Sequence, residues 1–254
     1  MINFTNTKDE ELFDEPFLSE YRNDIQFFYS ELVYLNVQLF MVDRIRRFRF
    51  DLFVRPSQTT FFSTVLNSFF ESSILRVARL VTDNDGDFRT IIRFKNKIYQ
   101  NMQEMYKKDF QERLRECKFD KNTDELLERI RTRRNQRIAH IIRNVNEEEL
   151  RKSTIYLKEL FSLRDKLNLL LTALSFGTTR MMLPLEYDDS VQHPAGVDSR
   201  ADIERMLDHI AFDSSVISLP EKNPVFWEAR KRSLKEHDIE EINIYRSKLG
   251  LENA

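Results

Sequence analysis

Residues 57–82 read SQTTFFSTVLNSFFESSILRVARLVT, a stretch without proline or glycine in which Phe61, Phe62, Val65, Leu66, Phe69, Phe70, Ile74, Leu75, Val77, Ala78, Leu80 and Val81 recur at helical intervals. The spacing predicts one long helix that is apolar on nearly every face, and such a helix belongs at the centre of a helical domain. It ends at Asp83-Asn84-Asp85-Gly86, a cluster that caps and reverses the chain. Upstream, periodicity predicts a helix from Pro16, in its first turn, to about Arg47. Downstream come two shorter basic amphipathic segments to Lys118, then a helix with Asn122 as its cap and Glu125 three residues later, stopping near Arg143. Asn146 with Glu149 opens another that runs to Phe176 before Gly177, a rod of roughly 45 Å at 1.5 Å per residue. Pro184, Pro194, Pro220 and Pro224 crowd the next stretch and place a boundary near 183. The expected architecture is therefore all-α: a bundle of four to five long helices over residues 1–183, then a proline-containing linker and short helical C-terminal extension over 184–254. Its helices are expected from Ser199 to about Ala211 and from Asp238 to Leu249.

Composition agrees. Four Gly and six Pro in 254 residues are too few for a sandwich or barrel that turns every ten residues, and 21 Phe supply more packing material than a disordered chain carries. A net charge of −2 excludes a strongly basic nucleic-acid-binding domain, so any polyanion site must be local. One cysteine, Cys117, excludes an internal disulfide framework and a cysteine-based zinc site. No two histidines are spaced as a helical metal pair, and no phosphate loop or Ser-His-Asp set is present, so neither metal nor cofactor is expected. Met1 to Glu15 is acidic where a secretion signal would be basic, and the longest apolar run, Leu167 to Phe176, is half a membrane span. The expectation is a soluble, cytoplasmic protein with no membrane partner.

Between Ile130 and Ile138 the apolar period is broken by Arg131-Thr132-Arg133-Arg134-Asn135-Gln136-Arg137. On an α-helical wheel, Leu126, Leu127, Ile130, Ile138 and Ile141 define a buried stripe, and Arg134 falls about 10° from its centre, with Arg137, Arg133 and His140 stepping out along one edge. An arginine on a buried face needs an anionic partner. One reading supplies it internally, through Glu71 or Asp83. The other opens that face onto a cleft or a second subunit, where guanidinium forks meet a phosphate and an imidazole exchanges a proton near neutral pH. From Arg76 to Arg137 the chain has 17 Lys or Arg against 11 acids, a local basic balance suited to steering phosphates.

Arg134-Asn135-Gln136-Arg137-Ile138-Ala139-His140 resembles the motif of the HEPN superfamily, an arginine and a histidine with four to six residues between them and a polar residue, often Asn, directly after the arginine. The spacing alone recurs at Arg133 with His140 and at Arg230 and Arg232 with His237; only Arg134 is followed by Asn. The Ala-His ending and the upstream segment Glu71 to Asp83 are similar to the abortive-infection U-type branch, over roughly residues 20 to 180. The resemblance implies a HEPN-like bundle that forms a homodimer with two motifs facing one another and, in active members, a metal-independent endoribonuclease of phage defence or toxin–antitoxin systems. Arg134 would hold the phosphate, Asn135 would orient the site and His140 would act as general acid or base. Arg131, Arg133 and Arg137 would bind RNA, and an antitoxin or nucleotidyltransferase would be a further partner. Arg133 almost eclipses His140 on a helix and competes with Arg134 for the role; the following Asn favours Arg134. Some superfamily members bind RNA, nucleotides or partners without cleavage, which is the alternative. His193, His209, Asp188-Asp189 and Cys117 read as structural or incidental, and Phe226-Trp227 with Arg230 to Arg232 reads as the cap of a bundle end rather than a base-stacking patch.

Overall fold

The computed structural model describes residues 4, 7–55, 59–82, 89–117, 121–135, 147–177 and 199–254. These form α1 (Asp9–Leu12), α2 (Glu15–Arg47), α3 (Phe50–Phe53), α4 (Thr59–Val81), α5 (Ile91–Asn101), α6 (Glu104–Glu116), α7 (Lys121–Arg133), α8 (Glu147–Lys152), α9 (Leu157–Leu174), α10 (Ser199–Phe212), α11 (Leu219–Lys222), α12 (Pro224–Lys231) and α13 (Glu236–Lys248). The fold is all-α. Among the described residues the sole extended pairing is an isolated antiparallel bridge between Phe13 and Met102. α2 and α4 lie close to where periodicity put them. α2 opens with Glu15 and closes with Arg44, Arg46 and Arg47, so the charge polarity of this stretch complements the helix dipole at both ends. α5 begins at Thr90, whose hydroxyl accepts the Arg93 amide at 3.3 Å.

The chain divides into two compact units, one of Met1–Leu39 with Phe69–Tyr187 and one of Phe40–Ser68 with Asp188–Ala254. In the first, α9 is the central post. It buries Leu160, Leu163, Leu167, Leu170, Leu171 and Leu174, and it packs on α5 and α6. The Tyr21 hydroxyl, from α2, donates to the Leu174 carbonyl at 3.1 Å and accepts the Phe176 amide at 3.1 Å, within a cluster of Phe13, Phe17, Phe94 and Phe176 rings. Gly177 follows with φ +44, and a Cβ there would stand 2.5 Å from the Thr7 carbonyl oxygen, so glycine is demanded by both conformation and space. Arg113 on α6 donates to the Thr172 carbonyl at 2.7 Å, while the buried Cys117 Sγ lies 3.6 Å from the Leu169 carbonyl. The buried Arg164 reaches across from α9 to Asn36 on α2 at 2.7 Å, and Arg76 on α4 pairs with Glu31 at 2.6 Å.

Two expectations need correction. The single rod over 146–176 is broken: α8 ends at Lys152, and the chain passes through extended backbone at Tyr156 before α9 starts. Thr154 turns its hydroxyl back to the Arg151 carbonyl at 2.7 Å, and the Glu159 carboxylate takes the Tyr156 amide at 2.8 Å, so a stop and a new cap sit where propensity allowed continuity. α4 is central only in its second half. Ile74, Val77, Ala78, Leu80 and Val81 are buried, whereas no residue from Thr59 to Phe70 is, and Phe61 is 64% exposed.

In the second unit, Phe48, Phe53, Phe212 and Tyr245 form an aromatic core, and burial pushes the Tyr245 hydroxyl up to about 12. Arg246 of α13, fully buried, donates to the Ile217 and Glu252 carbonyls and pairs with Glu221. Arg49 bridges to Asp238 at 2.7 Å, and His237 Nε2 lies 3.0 Å from the same carboxylate. Trp227 is buried while its neighbour Phe226 is exposed, so the pair expected to cap together is split.

Candidate functional site

α7 begins at Lys121, one residue before the expected Asn122 cap, and carries Asp124 in its first turn. Its stripe is inward as expected: Thr123, Leu126 and Ile130 are buried. The helix does not continue as α-helix through the arginine run. Arg134 and Asn135 form a π turn at its end. Such wide turns are uncommon and concentrate where a helix presents functional side chains. They also rotate the chain less per residue than an α turn.

Arg134 is half-buried, and its Nε donates to Asn135 Oδ1 at 2.9 Å. The neighbouring carboxamide thereby fixes the plane of the guanidinium. Arg133 is half-buried as well, and Arg131 pairs with Glu128 one turn back, in the i,i+3 relation. Glu71, the acid that could have neutralised Arg134 internally, forms no ion pair with it among the described residues. Asp83, Arg137 and His140 lie outside the described residues, so of the expected set the structure describes Arg131, Arg133, Arg134 and Asn135, neighbours already in sequence.

Sequence reading missed what lies beside this cluster. Arg129 forms a fork on Glu159, with Nη2 to Oε1 at 2.7 Å, and also donates to the Thr154 carbonyl at 2.7 Å. Burial pushes the Glu159 carboxyl up, but the Arg129 fork and the Tyr156 amide outweigh it and hold the group below its ordinary range. This fork ties α7 to the start of α9. Between the two helices runs an open groove of about 450 Å³, lined by Thr123, Leu126, Arg129, Glu125, Lys158, Glu159, Ser162, Leu163 and Lys166. Lys166 Nζ donates to the Thr123 hydroxyl at 2.7 Å. The signal in the sequence was the four-residue spacing of Lys158, Ser162 and Lys166, which is ordinary for an exposed helix face and acquires meaning only when α7 is seen opposite. Among the described residues no three His, Cys, Asp or Glu side chains are gathered as a metal site, and no helix is long and apolar enough to cross a membrane.

Comparison with known proteins gives one family. The profile of the HEPN_AbiU2 family, described as AbiU2, matches residues 46–193, more than half of the chain. No curated protein and no solved structure matches.

Proposed function

The chain belongs to the HEPN AbiU2 family, and from that premise we propose that it is a metal-independent endoribonuclease, an RNA-cleaving effector of bacterial phage defence or of a toxin–antitoxin system that acts as a homodimer. In such a system an antitoxin or a nucleotidyltransferase would be its partner. The observation that carries the reading is the Arg134–Asn135 contact at the wide turn closing α7, beside Arg131 and Arg133 and with five residues between Arg134 and His140. A guanidinium whose orientation is set before substrate arrives is what electrostatic stabilisation of a phosphoryl transition state requires. In the reaction the 2′-hydroxyl of one nucleotide attacks its own 3′-phosphorus as the bond to the next 5′-oxygen breaks. A base accepts the 2′ proton and an acid delivers one to the departing oxygen, leaving a 2′,3′-cyclic phosphate and a 5′-hydroxyl. His140 takes one of these proton transfers, Arg134 meets the charge gathering on the non-bridging oxygens, Asn135 holds Arg134, and Arg131, Arg133 and Arg137 hold adjoining phosphates.

The test is incubation of purified protein with RNA in EDTA. Wild type cleaves; Arg134→Ala and His140→Ala lose about 10²–10⁴-fold of the rate, the usual loss on removing a positioned acid or base. Arg133→Ala loses far less if Arg134 is the partner of His140 and as much if it is not. RNA left intact by the wild type, or cut equally by all three proteins, removes the enzyme reading. Salt-sensitive binding without turnover replaces it with an RNA-binding module of the same fold.

A further inference from the structure

The groove between α7 and α9 is unexplained by the cleavage chemistry, and it lies on the same helix as the arginine cluster. We propose that it is a track for the single-stranded RNA flanking the cleaved bond, with Lys158, Ser162 and Lys166 contacting successive phosphates and Tyr156 stacking a base; this rests on the RNA reading above. The three α9 residues form one row at i, i+4 and i+8, with steps of about 6 Å along the axis. That repeat is close to the phosphate spacing of an extended strand. The Lys166 ammonium is set in place by the hydroxyl of Thr123, itself only 2% exposed. At the other end Tyr156, which precedes α9 just outside the groove lining, is 57% exposed, and the ammonium of the lining residue Lys158 lies over its ring, 6.0 Å from the centroid. Sequence-tolerant single-strand binding uses this combination of a basic groove and an exposed ring.

Charge in the groove is arranged consistently. Of its two acids, Glu159 is occupied by Arg129 and the Tyr156 amide, and Glu125 is exposed. Arg129, Lys158 and Lys166 then leave the lining with an excess of one positive charge over Glu125 and Glu159. The track also points the right way. Leu126, Arg129 and Arg133 fall within about 60° of one another on α7, so the groove-facing side of that helix continues to Arg133, and Arg134 stands about 8 Å along the axis beyond Arg129. An unpaired strand is the occupant these features fit, because a base inside a duplex is already stacked and cannot turn to Tyr156.

Binding of a fluorescein-labelled RNA of about twelve nucleotides, a length suited to single-strand sites, tests the track by anisotropy across a KCl series. Methylation of its 2′ oxygens removes the nucleophile, so it binds without being cut. Lys158→Gln and Lys166→Gln should each weaken binding several-fold and lower the slope of log K against log salt by about 0.7, the value of one single-strand phosphate contact. Ser162→Glu should weaken binding about tenfold by placing a carboxylate in the row, and Tyr156→Ala should do the same without altering the slope. Lys108→Gln, at an exposed lysine on α6, should change neither quantity. Circular dichroism melts confirm that each variant is folded. Groove variants that bind like the wild type overturn the track, as does duplex RNA or an acidic peptide that competes as well as the single strand. Cleavage dependent on Arg134 with groove variants unchanged in affinity and KM would leave the nuclease standing and the track refuted. Groove-dependent binding without any cleavage would leave the track standing and the nuclease refuted, and a wild type that binds no RNA refutes both.

Discussion

Asn135 accepts from Arg134 across adjacent residues, the same short-range contact that Arg164 makes to Asp165 within α9. Losing one charge-assisted hydrogen bond costs about 1.5 kcal/mol, so Asn135→Ala should lower the cleavage rate about tenfold while leaving RNA affinity near wild type; an affinity that falls in step with rate would make Asn135 a binding residue instead. The sequence places Arg134 nearest the buried stripe, yet among the described residues the most buried arginines are Arg246, 1% exposed, and Arg164, 8% exposed. Beside near acceptors in Asp165 and the Glu252 carbonyl, each takes one from far along the chain, Asn36 for Arg164 and the Ile217 carbonyl for Arg246, and no local pattern announces those distant pairings. Asn36→Leu removes an acceptor from the enclosed Arg164 guanidinium and should cost about 1–3 kcal/mol in denaturant unfolding. A variant as stable as wild type would mean that Arg164 re-partners at no cost.

Helices as elements were readable because their apolar period is long and proline is absent, which is why α2, α4, α10 and α13 lie close to their expected spans. The interruption between α8 and α9 was not. Ser153-Thr154 is a weak stop signal by itself, and the decisive partner, Arg129, lies on another helix. The arginine run was legible as an anomaly, but the π turn that ends α7 was not, since wide turns leave no fixed residue signature. The Arg129–Glu159 fork has a pH consequence. A carboxyl held below its ordinary value when folded takes up protons on unfolding. Its contribution is therefore complete above the unfolded value of about 4.3 and fades as acidity increases beyond it. Glu159→Gln should thus lower the melting temperature at pH 7 while narrowing to no difference from wild type at strongly acidic pH; a gap that persists there would show that packing rather than charge was lost.

For the molecule entire, the proposed dimer predicts a particle of twice the 30.6 kDa chain mass in sedimentation or light scattering, unchanged by Arg134→Ala. A solitary chain at working concentration would contradict it. The glycine after α9 is a second constraint on this scale: Gly177→Ala combines a left-handed backbone with a clash against Thr7, so the N-terminal segment should detach or the melting temperature should fall by several degrees. An unchanged melting curve would mean that this approach is dispensable. The enclosed thiol of Cys117, with its ionisation pushed up by burial, has a practical corollary. As the sole sulfhydryl in the polypeptide it is an intrinsic gauge of breathing between α6 and α9. A chromogenic disulfide reagent can react only during such excursions, and the retardation relative to an unstructured peptide yields their free energy without any engineered label.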